Sequence, residues 1–326
     1  MKRDVVFAGS IITDYVKMIP SWPQQGLLVP ITKLQRAIGG VVNGAIDLKI
    51  LDPSLCVAAL GQVGQDDAGD FAIAELKRRN IDVSLVSRVE NVPTSFTDVM
   101  TVSGSGERTF FNLHGADSCL VPDDVDVASL NCQLFHLAYL LLLDGMDAPD
   151  SEYGTAAARL LAKIQAAGIR TSIDIVSERS ERFARTVRPA LKFCDYAIIN
   201  EIEVRQASGE QDLRRAAERL FELGVRERVV IHCPEGSLTL DRNGIFHSVG
   251  SLNLPKGWIV GTVGAGDAFC AGMLYSILKG FDPEKSMRIA SCVAAASLSA
   301  SDATTGACSL SEAMALENKF ERRNFK

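Results

Sequence analysis

Along this chain, short apolar runs alternate with stretches in which apolar residues recur at helical spacing. Residues 4–9 form a compact apolar run ending in Gly9, which predicts a buried first strand. Residues 55–63 predict a second strand, closed by the glycine-rich stretch 61–69, after which Phe71, Ala74 and Leu76 continue as a helix. From residue 134 the alternation is regular. Strands over 134–143, 171–176, 196–199 and 228–232 are separated by helices over 152–167, 180–193 and 213–223. Such alternation predicts an α/β fold with a mostly parallel sheet, helices on both faces, and ligands at the C-terminal ends of the strands.

Two stretches interrupt the pattern. Residues 15–33 contain Pro20, Pro23 and Pro30 and no helical period, which suggests an edge-strand excursion from the main sheet. Residues 94–113 read as a hairpin, with Thr97, Val99 and Thr101 alternating before Ser103-Gly104-Ser105-Gly106, and Thr109, Phe110 and Phe111 after it. Together, segments at about 15–33 and 94–114 are expected to form a small β-sheet lid over the crevice, excluding water from the chemistry beneath. No repeat, low-complexity linker or change of composition divides residues 1–326, so one α/β domain is expected. The charged tail after Glu312 is expected to fray.

Composition narrows the function. The chain has 326 residues, 47% hydrophobic and 23% charged, with a formal net charge of −6 and no long basic run. That balance argues against a nucleic-acid partner, and no apolar run is long enough to span a bilayer. Residues 1–7 pass directly into a strand without a secretory h-region, so a cytoplasmic protein is expected. Its 8 cysteines include no C-x-x-C pair and no metal-ligand spacing with the 4 histidines, and are read as reduced.

The candidate chemistry centres on Thr262-Val263-Gly264-Ala265-Gly266-Asp267-Ala268-Phe269. Phe269, Met273, Leu274, Ile277 and Leu278 continue as an apolar helical stripe, and Gly280 stops it. The first turn of such a helix leaves the Gly264, Ala265 and Gly266 amides without intrahelical partners, which makes an anion hole. Asp267 at its edge is placed to accept a proton from a hydroxyl, a pairing that suggests phosphoryl transfer; an Asp stabilising a first helical turn needs no chemistry at all. Asn43, after Gly39-Gly40, offers a donor and an acceptor to a hydroxyl pair, or caps a helix. Asp14, just beyond the first strand, could bind sugar hydroxyls or sit in a solvated turn. Asn200 and Glu203 could order water on Mg²⁺, or form a helix N-cap pair. Pro234-Glu235-Gly236-Ser237 is a turn after another strand.

No G-x-x-x-x-G-K-[ST], H-R-D, G-x-S-x-G or first-strand G-x-G-x-x-G occurs, which leaves aside P-loop and protein kinases, α/β-hydrolases and NAD enzymes. In order and along nearly the whole chain, Gly39-Gly40 with Asn43, the 61–69 run, Asn200 to Glu203 and Thr262 to Asp267 strongly resemble the ribokinase-like carbohydrate kinases of the PfkB family. The resemblance implies a Rossmann-like sheet with a β lid, ATP and Mg²⁺ as co-substrates, and γ-phosphoryl transfer to a sugar or sugar-like hydroxyl. By the same resemblance, Asp267 is the base, Gly264, Ala265 and Gly266 form the anion hole, and Asp14, Gly40 and Asn43 hold the sugar. Asn200 and Glu203 organise the metal through water, Gly236, Thr262, Gly264 and Gly266 lie along the nucleotide, and a homodimer through the lid is implied.

Two departures stand out. Gly261 replaces the Asp that usually begins the last motif and that in some members helps to hold a monovalent cation, which leaves potassium open. One residue fewer separates Gly40 from Asn43, leaving open whether Asn43 points differently or shares its role with the Gly44 backbone. A nucleoside kinase on the same scaffold is the alternative enzyme, and a silent sugar- or nucleotide-binding regulator the alternative class. In the lid, Arg108 at the hairpin turn is expected to be solvated, and His114 to hold a carboxylate poorly, so a neutral sugar or nucleoside is the expected substrate.

Overall fold

A computed structural model describes residues 2–178 and 180–325. Among these, one nine-stranded sheet runs in the order Phe246–Gly250, Gly236–Asp241, Arg228–Cys233, Tyr196–Asn200, Arg170–Ile175, Cys132–Leu140, Arg3–Gly9, Val57–Gly64, Asp82–Val89. Every pairing from Arg228–Cys233 to Asp82–Val89 is parallel; the last two strands of the chain add an antiparallel edge. The first strand shows why these apolar runs form the centre of a parallel sheet. Val5 and Phe7 enter one core with the helices Val42–Leu51, Ala265–Lys279 and Pro283–Ser297. Val6 and Ala8 enter the other with Ala156–Ala166, Phe183–Leu191 and Leu213–Glu222. Both faces of the strand are dry, so no polar alternation is needed.

A second sheet of four strands, in the order Lys33–Gly40, Ile11–Ile19, Phe96–Val102, Arg108–Leu113, lies apart from the first. The hairpin pairs Val99 with Phe110 and Thr101 with Arg108. The other lid segment differs from the expected 15–33. Its strands are Ile11–Ile19 and Lys33–Gly40, with the proline-containing residues 20–32 as the connection between them. Proline supplies no ladder donor, so the pairing ends where the prolines begin. Asp14 therefore lies within a lid strand, not in a turn.

The unforeseen strand Asp82–Val89 is an edge strand, half-exposed and carrying Asp82, Ser84, Ser87 and Arg88, so it lacks a continuous apolar run. The C-terminal tail is docked, contrary to the fraying its charge suggested. Arg322 pairs with Glu317 and donates to the Gly250 carbonyl at 2.7 Å, and Arg323 N–H donates to the Ser251 carbonyl at 2.8 Å. Charges with fixed partners at a sheet edge hold a tail that free charges would leave loose.

Candidate active site

The helix Ala265–Lys279 starts at the C-terminal end of the large sheet. Its N-cap, Gly264, has φ 80°, and a Cβ there would meet Ala303 Cα at 2.6 Å, so glycine is needed for both the turn and the close approach. The Ala265 amide closes this turn on the Thr262 carbonyl at 3.3 Å, which removes it from the expected set of three free donors. Among the described residues the Gly264 and Gly266 amides have no hydrogen-bond acceptor. Two aligned donors at a helix N-terminus still favour an anion.

Asp267, in the first turn, is bonded at both carboxylate oxygens. Asn43 Nδ2 donates to Oδ2 at 3.1 Å, and the Tyr139 hydroxyl donates to Oδ1. Burial lifts the Asp267 carboxyl to about 6, opposed by these two bonds. Asn43 is not a helix cap, since Val41 occupies that position. With this spacing after Gly40, the Asn43 side chain reaches Asp267. Gly40 has φ 86° and lies against Ser10, and its carbonyl accepts from the Tyr139 hydroxyl at 3.4 Å. Tyr139 was not foreseen; the available signal was a phenol near the C-terminal end of a mostly apolar strand.

Two cavities flank the helix start. One, of about 640 Å³, is lined by Asn200, Gly236, Thr262, Ala265, Gly266 and Phe269, with an apolar wall that includes Leu252, Leu254, Ala295 and Leu298. The other, of about 410 Å³, lies between the lid and the loop at 301–305 and includes Asp14, Arg108 and Val263. The cavity lining thus brings together Asn200, Gly236, Thr262, Ala265 and Gly266 on one side, and puts Asp14 on the other. Burial raises the Asp14 carboxyl to about 6, against a hydrogen bond with Thr97 and the nearby Arg108 charge.

Asn200 and Glu203 form a capping box on the helix Glu201–Ser208. Glu203 is only 3% exposed. Its Oε1 accepts from Ser177 Oγ and Asn200 Nδ2, both at 2.6 Å, and its Oε2 from the Asn200 amide at 2.9 Å. Burial nevertheless raises its carboxyl to about 7. Ser177, the third member of this cluster, was not foreseen. Arg108 also departs from expectation. Half-buried, it reaches across from the lid and donates to the Ser301 carbonyl.

Comparison with known proteins fits this geometry. The chain matches the pfkB family carbohydrate kinases over residues 2–309. An uncharacterized sugar kinase from Archaeoglobus fulgidus is 30% identical over 73% of this chain and 89% of its own length. The aminoimidazole riboside kinase of Salmonella typhimurium is 26% identical over 68% of this chain and 70% of its own. The ribokinase structure from Thermotoga maritima has a TM-score of 0.81 at 19% identity, covering 97% of this chain and 99% of its own. That of Arabidopsis thaliana ribokinase, complexed with ribose and ATP, has a TM-score of 0.80 at 21% identity with the same coverage. With its mostly parallel large sheet, its β lid and this match across nearly its whole length, the chain belongs to the pfkB family of carbohydrate kinases.

Proposed function

We propose that this protein transfers the γ-phosphoryl group of ATP to a hydroxyl of a sugar-like substrate, with Asp267 as the base. The observation that carries the reading is the position of Asp267. It stands in the first turn of a helix whose start carries two free amides, with Ala265 and Gly266 lining a cavity with an apolar wall and Val263 lining a polar one. The nucleotide is assigned to the 640 Å³ cavity, its phosphates directed at the Gly264 and Gly266 amides and its body along Gly236 and Thr262. The sugar is assigned to the lid side, with Asp14 from the cavity lining and Gly40 and Asn43, which reach Tyr139 and Asp267, as hydroxyl partners.

In this reading the substrate hydroxyl replaces the Tyr139 hydroxyl on Asp267, gives up its proton there and attacks the γ-phosphorus, whose bond to the ADP oxygen breaks as negative charge gathers at the amide pair. Magnesium, when bound, would neutralise negative charge on the phosphates. Asn200 and Glu203 fit a strongly hydrated ion held through its waters, because Glu203 already shares its oxygens with Asn200 and Ser177. A carboxylate ligand for potassium has no place at Gly261, where a Cβ would meet the Ala300 carbonyl oxygen at 2.8 Å.

The exposed apolar side chains Trp22, Leu27, Leu28 and Phe111 support a homodimer through the lid. No helix among the described residues is long and apolar enough to cross a membrane, and ATP as co-substrate favours the cytoplasm.

The test is ADP release with ATP and Mg²⁺ over a panel of ketoses, aldoses, sugar acids, sugar phosphates and nucleosides. Asp267→Asn is expected to lower kcat by about 10²–10⁴-fold with an unchanged melting temperature. Near wild-type turnover in that variant would reduce Asp267 to a helix-start residue, and sugar binding without ADP release would favour a silent regulator.

A further inference from the structure

The lid cavity holds more positive charge than a neutral sugar needs. Four arginines line it, Arg36, Arg78, Arg79 and Arg108, together with the acids Asp14, Glu75 and Asp302. Most of this charge is already matched. Glu75 holds Arg78 and Arg79, and Asp302 is turned into its own loop, accepting from the Thr304 amide at 3.1 Å and the Thr305 amide at 2.8 Å. Asp14 is the proposed hydroxyl partner. Among the described residues neither Arg108 nor Arg36 has a carboxylate partner.

Arg108 is the better placed of the two. The lid register pairs Asp14 with Thr97 and Val16 with Val99, then Val99 with Phe110 and Thr101 with Arg108. Strand side chains alternate between faces, so Asp14, Val16, Val99, Phe110 and Arg108 share the face turned to the cavity. Arg108 is half-buried, bonded to the Ser301 carbonyl of the opposite loop, and close enough to Asp14 to oppose the rise of its carboxyl. Arg36 pairs with Tyr15 and so points to the other face. It reaches the cavity at its rim from the edge strand, its guanidinium 4.8 Å from the centre of the Phe71 ring. A half-buried guanidinium whose hydrogen bond goes to a neutral carbonyl leaves most of its planar donor fork without an acceptor, and carboxylates and phosphates complement that fork.

We infer that the substrate is an anionic sugar derivative, whose phosphate or carboxylate is bound by Arg108, with Arg36 adding field at the rim, while Asp14 and Asp267 take its hydroxyl end. This rests on the kinase reading above and replaces the neutral substrate expected from sequence. In this inference the anion lies on the lid side of the cavity and the reacting hydroxyl toward the helix start.

The experiment compares matched pairs with ATP and Mg²⁺: fructose with fructose 6-phosphate, ribose with ribose 5-phosphate, and glucose with gluconate and 2-keto-3-deoxygluconate. At least one anionic compound is expected to exceed its neutral counterpart about tenfold or more in kcat/KM. Arg108→Gln should abolish that preference through KM, by about 10–100-fold. Arg108→Lys should restore part of it if the anion is a phosphate and little if it is a carboxylate held as a fork. Preference for a neutral sugar overturns the inference and leaves the kinase reading intact. An anionic preference that persists in Arg108→Gln, with KM unmoved, also overturns it. If ADP release by the wild type equals that of Asp267→Asn with every compound, the kinase reading fails. The inference then stands or falls on whether fructose 6-phosphate or gluconate raises the melting temperature of the wild type and not of Arg108→Gln.

Discussion

The two sheets of this molecule are built from similar strands and covered differently. In the large sheet, Val57–Gly64 is buried at every position, whereas in the lid Arg108–Leu113 is exposed at every position after Arg108. The difference sorts the site residues. Asp267, Asn43 and Tyr139 hang from elements packed into the core beside that sheet, where a displaced atom displaces its neighbours. Asp14 and Arg108 hang from the lid, where a side chain can change at little cost to stability. On the proposed assignment, the chemistry is held rigid while the substrate is chosen by a thinner, replaceable surface.

The largest expected effect lies in the rigid part. Gly264→Ala forces a Cβ to within 2.6 Å of Ala303 Cα at φ 80°, so the strain cannot be relieved by a rotamer change. The left-handed backbone alone costs about 1–2 kcal/mol, and a shift of about 1 Å at the helix start can cost about 10²-fold in rate. Both kcat and melting temperature should fall together. A variant that keeps both would mean that the helix start is not fixed by that contact.

Next is Tyr139→Phe, which removes one of the two bonds to the Asp267 carboxylate. Those bonds favour the ionised form, so their loss raises the carboxyl further above about 6. As the proposed base, Asp267 works ionised, and activity is therefore expected above this value and lost as pH falls through it. The acid limb of the kcat/KM profile should sit near pH 6 in the wild type and move to higher pH in the variant, with about tenfold lower activity at pH 6. An acid limb that stays in place would remove Tyr139 from the base.

The central strands of the large sheet were legible because they are apolar on both faces, and the helix because Gly264, Gly266 and Gly280 mark its ends so plainly. The lid hairpin was legible from its alternation and its Ser-Gly turn. What escaped depends on partners far away in the chain. Nothing near Tyr139 announces Asp267, 128 residues later. Nothing near Arg108 announces the Ser301 carbonyl, 193 residues on, so a charge beside a turn read as solvated. The tail misled for the same reason, since Arg322 and Glu317 are charged but paired. Asp82–Val89 was missed because an edge strand need not be apolar throughout.

The smallest expected effect is on the outer face of the lid. Phe111 is 53% exposed and stacks on Trp22 with ring centres 6.2 Å apart and 10° between planes. The register pairs Phe111 with Asp98, which in turn pairs with Tyr15, so Phe111 faces away from Asp14 and Arg108. Within one chain, Phe111→Ser loses a single exposed ring contact, worth about 0.5–1.5 kcal/mol at most. For a chain of this size the melting temperature should move by only a few degrees, and kcat should hold. If a second copy covers this face through the lid, the same substitution opens a polar gap in an apolar contact, and sedimentation velocity should show a shift toward monomer at micromolar concentration. A large fall in melting temperature that does not depend on protein concentration would break the comparison, because it would place the outer lid face among the elements on which the fold depends.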